Sequence, residues 1–206
     1  MTPVRDRHWP NIVSYVFHPL FVPTYAVATY FSLRIDFFTL PQKYLILVQV
    51  SLMTVILPLL FFLLLRSMGR VASVMIPDPS QRRWPLIFQI TLLFLLITRS
   101  LTADISPVLF NFFLGGIISS SIAFGLLFLR MKISLHALSM AAWLGLMLSL
   151  AWHFALAIDV TLAILMLLTG AVLSARLFLK AHTVPELAIG FVSGLIPQLV
   201  LSAFWL

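Results

Sequence analysis

The sequence predicts an all-α protein, a polytopic membrane bundle of six to seven transmembrane helices. Three observations predict it. Hydrophobic residues make up 62% of the 206 positions, far above the roughly 45 to 50% of soluble domains. Only 9% of residues are charged and the mean hydropathy is +1.11. Finally, the apolar residues fall into runs near the ~20 residues a helix needs to cross a bilayer. A chain of this length holds about seven such runs with short connections, leaving one integral membrane domain over 1–206 and no sizeable soluble unit.

The spans are expected at about Asn11 to Phe31, Tyr44 to Leu65, Trp84 to Thr98, Val108 to Leu129, Leu135 to Ala157, Val160 to Leu179 and Leu187 to Leu206. In the first, His18, Pro19 and Pro23 interrupt the run and predict a bend or break. Arg5, Asp6, Arg7 and His8 precede it without a short apolar core and small-residue cleavage site, so the span is expected to stay in the mature chain. The second, fourth, fifth, sixth and seventh are unambiguous. The third is short for a crossing unless it continues to Arg99, whose side chain would snorkel to the interface. Turn and capping residues mark the connections, among them Pro77-Asp78-Pro79-Ser80 and Thr102-Ala103-Asp104, and there is no internal repeat, low-complexity tract or long linker. The chain lacks cysteine, which removes disulfides, thiolate nucleophiles and Cys-ligated metals from consideration. The net charge of +7 is scattered along membrane edges rather than gathered on a soluble face, so no nucleic-acid partner is expected.

Three polar clusters interrupt the hydrocarbon: Gln81-Arg82-Arg83-Trp84-Pro85, Lys132-Ile133-Ser134-Leu135-His136, and Arg176 followed by His182 and Glu186. Ionisable groups at a membrane edge are costly to place and mark functional sites. Two crossings separate each cluster from the next, so all three emerge on one face. Each also lies near the start of a helix, with Ser80, Ser134 and Thr183 placed as N-caps, and helix N-termini attract anions. Four cations (Arg82, Arg83, Lys132 and Arg176) beside such termini make an environment for phosphate, with guanidinium forks suited to bidentate oxygen contacts. His182 and Glu186, four apart, share a helix face. A carboxylate there holds one imidazole nitrogen protonated and frees the other to attack phosphorus. A second histidine, His136, is placed to protonate the leaving oxygen.

These residues resemble the type 2 phosphatidic acid phosphatase superfamily, whose signature is K-x6-R-P, P-S-G-H and S-R-x5-H-x3-D. Ala175-Arg176, five residues, His182, three residues and Glu186 match the third motif, with glutamate for aspartate and Ala175 for serine. Ile133-Ser134-Leu135-His136 keeps the serine and histidine of the second without its proline and glycine. Arg82-Arg83-Trp84-Pro85 has the arginine and proline of the first, though not adjacent, and Ile76 stands where its lysine would be. The resemblance spans about Arg82 to Glu186 with the motifs in order.

That resemblance implies a phosphatase-type membrane bundle that acts on lipid phosphates through a phosphohistidine, without metal or cofactor. His182 would be the nucleophile, Glu186 its orienting carboxylate and His136 the general acid. Arg176, Ser134, and Arg82 or Arg83 would bind the phosphate oxygens, with Lys132 supplying the charge of the missing lysine. The substrate would be a phosphate monoester or diphosphate of a membrane lipid (phosphatidate, phosphatidylglycerophosphate, polyprenyl diphosphate or lipid A type), and the expected location is a bacterial inner membrane.

Plainer readings exist for each feature. Thr183-Val184-Pro185-Glu186 also fits a capping box, the cations also fit membrane-edge anchors, His136 and His182 also fit interfacial histidines meeting water, His18 fits the pocket lining but also helix packing or a backbone hydrogen bond, and His153 falls near the far end of the fifth span, away from the chemistry. Gly115-Gly116 with Ser119, Ser120 and Ser121 fits close helix approach. A lipid phosphotransferase, or a non-enzymatic protein that binds or moves anionic lipids, would use the same pocket. Orientation is contested: ten basic residues fall on the clustered face and three on the other, which makes that face cytoplasmic by the positive-inside rule. Removing the four candidate site cations leaves six against three, and many members of the resembled family work on the outer side.

Overall fold

The computed structural model of the chain describes residues 8–33, 35–70 and 79–205. Arg5, Arg7, Asp78, Arg34 and the side chain of Ser80 lie outside the described residues, and with them the expected capping role of Ser80. Among the described residues there are eight helices and no strand: α1 (His8–Val16), α2 (Val22–Ser32), α3 (Leu40–Ser67), α4 (Arg83–Arg99), α5 (Pro107–Phe128), α6 (Leu135–His153), α7 (Asp159–Phe178) and α8 (Val184–Leu201). Five of them, α3, α5, α6, α7 and α8, are long and apolar enough to cross a membrane. Their bounds follow the apolar runs within a few residues. The largest differences are at α8, which ends at Leu201 rather than Leu206, at α3, which starts four residues before Tyr44, and at α6, which ends at His153 rather than Ala157 because Ala155 (φ +48°) turns the chain.

The first apolar run is two helices. Its break at residues 17–21 surrounds Pro19, whose ring and missing N–H stop a helix, and Leu20 N–H donates to His18 Nδ1 (3.4 Å) inside it. α4 has 17 residues and reaches Arg99. α3 carries a π segment at Leu52–Ile56 just before Pro58. Pro58 cannot donate to the carbonyl one turn back, and a wider turn there absorbs the mismatch.

α6 is the centre of the bundle, with 14 of its 19 residues buried. α8 packs closest to it because Gly190 and Gly194 have no side chain: an added Cβ would collide with the backbone of Ser134 and Leu138. Gly145 of α6 and Gly115 of α5 leave the space that Gln198 of α8 fills, and its side-chain amide donates to the Phe112 carbonyl (3.1 Å). The main core of Leu96, Leu109, Phe113, Met147 and Leu150 lies toward the opposite end. This leaves the start of α6 free to meet the loops that carry the charges.

Candidate functional site

Local structure brings the polar residues together. Ser134 caps α6 by accepting the Ala137 N–H (3.3 Å), and its own N–H donates to the Glu186 carbonyl (3.1 Å), tying the starts of α6 and α8. α7 ends in a Schellman turn: the Ala181 N–H reaches the Arg176 carbonyl (3.1 Å) and the Lys180 N–H the Leu177 carbonyl (2.9 Å), with Lys180 at φ +53°. That turn reverses the chain so that His182 comes back over Arg176. Lys132 Nζ then donates to the Ala181 carbonyl (3.1 Å) and Arg82 Nη1 to the Ile133 carbonyl (3.1 Å). Clusters as many as a hundred residues apart in sequence therefore meet at one end of the bundle.

Glu186 does two jobs with one oxygen. Its Oε2 accepts from His182 Nδ1 (2.8 Å) and from the Thr183 N–H (3.2 Å), while the Glu186 N–H donates to Thr183 Oγ1 (3.5 Å). The capping box and the histidine–carboxylate pair are the same structure. The carboxylate holds the proton on Nδ1 and leaves the Nε2 lone pair for chemistry.

A cavity of about 200 Å³ runs from this end into the bundle, and Arg82, His136, Arg176, His182 and His18 form its polar wall. Arg82, His136, Arg176 and His182 are each no more than 7% exposed. Arg176 Nε is buried with no hydrogen-bond partner among the described residues. Beyond the polar wall the cavity is lined by apolar side chains, among them Pro58, Phe62, Leu93 and Phe113. On its other side His182 borders an open depression with Lys132, Thr183 and Glu186. His182 thus stands between an apolar cavity and the solvent side.

Charges here are placed against their preference. Burial, reinforced by Lys132, Arg82 and Arg176 and opposed by Glu186, pushes the His182 imidazole down to about 4. Burial and then the nearby Arg176 lower Arg82 to about 10, and burial with Arg82 lowers Lys132. Each shift records cations crowded together out of water, an arrangement that an incoming anion relieves.

Three expected phosphate-binding residues are not on the cavity wall. Arg83 is exposed, with its guanidinium 5.3 Å from the centre of the Phe128 ring. Successive helical residues point about 100° apart, so once Arg82 turns inward Arg83 turns out. Ser134 is fully buried and spends its hydroxyl oxygen on the cap of α6. Lys132 lies on the depression rather than in the cavity.

One residue was not anticipated. Ser14 of α1 is fully buried and takes both inner groups: its carbonyl accepts from His136 Nε2 (3.0 Å) and its hydroxyl from Arg176 Nη1 (3.2 Å). His18, one turn further on, packs its ring 5.5 Å from His136, centre to centre. The four-residue spacing of Ser14 and His18 was the available signal. His153 lies at the opposite end, edge-on to the Phe154 ring and tilted against Trp205. Among the described residues no three histidine, aspartate or glutamate side chains gather as metal ligands.

No family model, curated protein or solved structure matches the chain. The geometry of the site has to speak for its chemistry.

Proposed function

We propose that the chain is a membrane phosphatase that removes a phosphate from a lipid through a covalent phosphohistidine, with the architecture of the type 2 phosphatidic acid phosphatases. One observation carries the reading: a buried histidine, oriented by a carboxylate at 2.8 Å, shares one cavity wall with two buried arginines and a second histidine. In this reading α1 with α2 makes one crossing and α4 another. With the five long helices they form seven spans in a bacterial inner membrane.

The lipid phosphate occupies the polar end, its oxygens replacing the Ser14 carbonyl and hydroxyl on His136 and Arg176. Arg82 and Arg176 bind the equatorial oxygens and the charge that grows on them. His182 Nε2 attacks phosphorus as the bond to the lipid oxygen breaks, and that oxygen takes its proton from His136, which has gained it from the incoming monoprotonated phosphate ester. Water enters from the open depression, loses a proton to His136 and attacks the phosphohistidine. The N–P bond breaks, and free phosphate and both histidines return to their starting state.

The apolar lining supports a lipid as the substrate, since a hydrocarbon tail gains by filling it. Phosphate release from a panel of phosphatidate, phosphatidylglycerophosphate, undecaprenyl diphosphate and lipid A tests the proposal. Activity on at least one is expected, inhibited by vanadate and abolished in His182→Ala. Full activity retained in His182→Ala or His136→Ala would refute the mechanism. Turnover of none of the panel would favour a protein that only binds anionic lipids, and phosphate appearing on another acceptor would mark a phosphotransferase.

A further inference from the structure

The cavity has a second polar level. Gly116 of α5 packs against Leu93 of α4. One turn toward the site in this antiparallel pair sets Ser120 opposite Gln89. Gln198, wedged between Gly115 and Gly145, fixes the register of α5 against α6. Stepping six residues toward the site along α6 and five along α5 brings Ser139 to within about one residue's rise of Ser120. All three line the same cavity. Gln89 lies about 10 Å of helix rise from Arg82, and Ser139 about 5 Å from His136.

Within an apolar bundle such groups are costly unless something bonds them. The Ser139 hydroxyl donates to the His136 carbonyl (3.2 Å), leaving its oxygen free to accept. Gln89 Oε1 is buried and has no hydrogen-bond partner among the described residues. Deeper in, the lining returns to Leu93, Phe112 and Phe113. A ligand that fits this sequence of environments is a phosphate, then a short polar linkage, then hydrocarbon.

We infer that Gln89, Ser120 and Ser139 bind the linkage of an acylated lipid phosphate, the Gln89 NH2 and the Ser120 hydroxyl donating to an ester or amide carbonyl while Gln89 Oε1 and the Ser139 oxygen accept from an amide N–H or a hydroxyl, and so select such lipids over polyprenyl phosphates. The inference rests on reading the charged end as a phosphate pocket. A polyprenyl chain is hydrocarbon from its phosphate onward and would leave the collar unpaired. Sites built to hydrogen-bond a substrate group discriminate strongly against analogues that lack it.

The test uses the full chain in lipid nanodiscs, with binding by competition against a labelled phosphatidate and phosphate release measured side by side. The probes are a diacyl phosphatidate, its dialkyl ether analogue, an acylated disaccharide phosphate and undecaprenyl monophosphate. The two acylated lipids are expected to bind about tenfold tighter than the ether and polyprenyl probes, as one or two lost hydrogen bonds would give. The better of the two acylated probes identifies whether the linkage comes from glycerol or sugar. In Gln89→Leu the preference should vanish by weakened binding of acylated lipids, with undecaprenyl phosphate held within about twofold. Ser120→Ala, a smaller change, should move the same way, and the ester-to-ether comparison needs no variant at all. Equal or tighter binding of undecaprenyl phosphate by the unmodified chain, or equal weakening of every probe in both variants, would overturn the inference. Selective binding without phosphate release would keep the collar and remove the phosphatase. Unselective release would do the reverse.

Discussion

The two ends of the bundle handle charge in opposite ways. At the opposite end Lys43 meets Asp36 at 2.9 Å and lies 5.4 Å from the centre of the Phe31 ring, while Gln49 donates to Ser100 (2.6 Å) and Ser106 caps α5. Every polar group in that set has a nearby match. At the site end Arg82, Lys132 and Arg176 surround His182, and Glu186, the one carboxylate there among the described residues, is engaged by His182 and its own cap. Arg176 Nε stays buried without a partner among the described residues. Matched charge at a membrane edge is structural. A buried arginine nitrogen left unpaired among the described residues is a standing cost that makes sense when an anion comes to offset it.

Neutralising one carboxylate at each end should separate these roles. Glu186→Gln keeps the shape but not the charge that holds the His182 proton on Nδ1, and kcat for lipid phosphate is expected to fall by roughly 10²-fold or more. Asp36→Asn at the opposite end should leave kcat within about twofold and, because the Asp36 side chain is almost fully covered, cost about 1–3 kcal/mol of stability. Comparable losses of kcat in the two variants would erase the distinction between the ends.

The pH profile is the next largest expected effect. A protonated Nε2 has no lone pair, and burial holds His182 down near about 4. The acid limb of kcat/KM should therefore fall through about pH 4 rather than near the ordinary 6.5 of a histidine. Glu186 opposes that lowering, so in Glu186→Gln the limb should move to lower pH even as the rate drops. A limb that stayed near 6.5 would place the nucleophile elsewhere. The smallest effect concerns only the frame: Lys180 adopts φ +53° at the end of α7, and Lys180→Gly should raise stability by up to ~1 kcal/mol, read as a higher Tm, with little change in turnover.

Much of this was legible in the chain. Apolar run length placed the helices, and Pro19 marked the break between α1 and α2. Ser134 and Thr183 announced the starts of α6 and α8, and the spacing of Arg176, His182 and Glu186 foretold the pair that forms at 2.8 Å. The rest depends on helical phase and on depth, which single residues do not reveal. Arg82 and Arg83 look equivalent in sequence, yet one faces the cavity and the other the Phe128 ring. Ser14 is an ordinary small residue until α1 folds over the site and lays it on His136 and Arg176. Gln89, Ser120 and Ser139 come from three separate helices, and only the glycine-set register of α4, α5, α6 and α8 makes them one collar. The π segment in α3 needed the carbonyl mismatch at Pro58 to be seen in three dimensions.

The most direct measurement is rapid quenching of the full chain during turnover of a lipid labelled in its phosphate, followed by mapping of the label. An acid-labile, alkali-stable phosphoryl group on His182, formed at least as fast as phosphate is released and absent from His182→Ala, is the expected result. Rapid phosphate release with no label on His182 at any quench time would contradict a phosphohistidine at the charged end of this bundle.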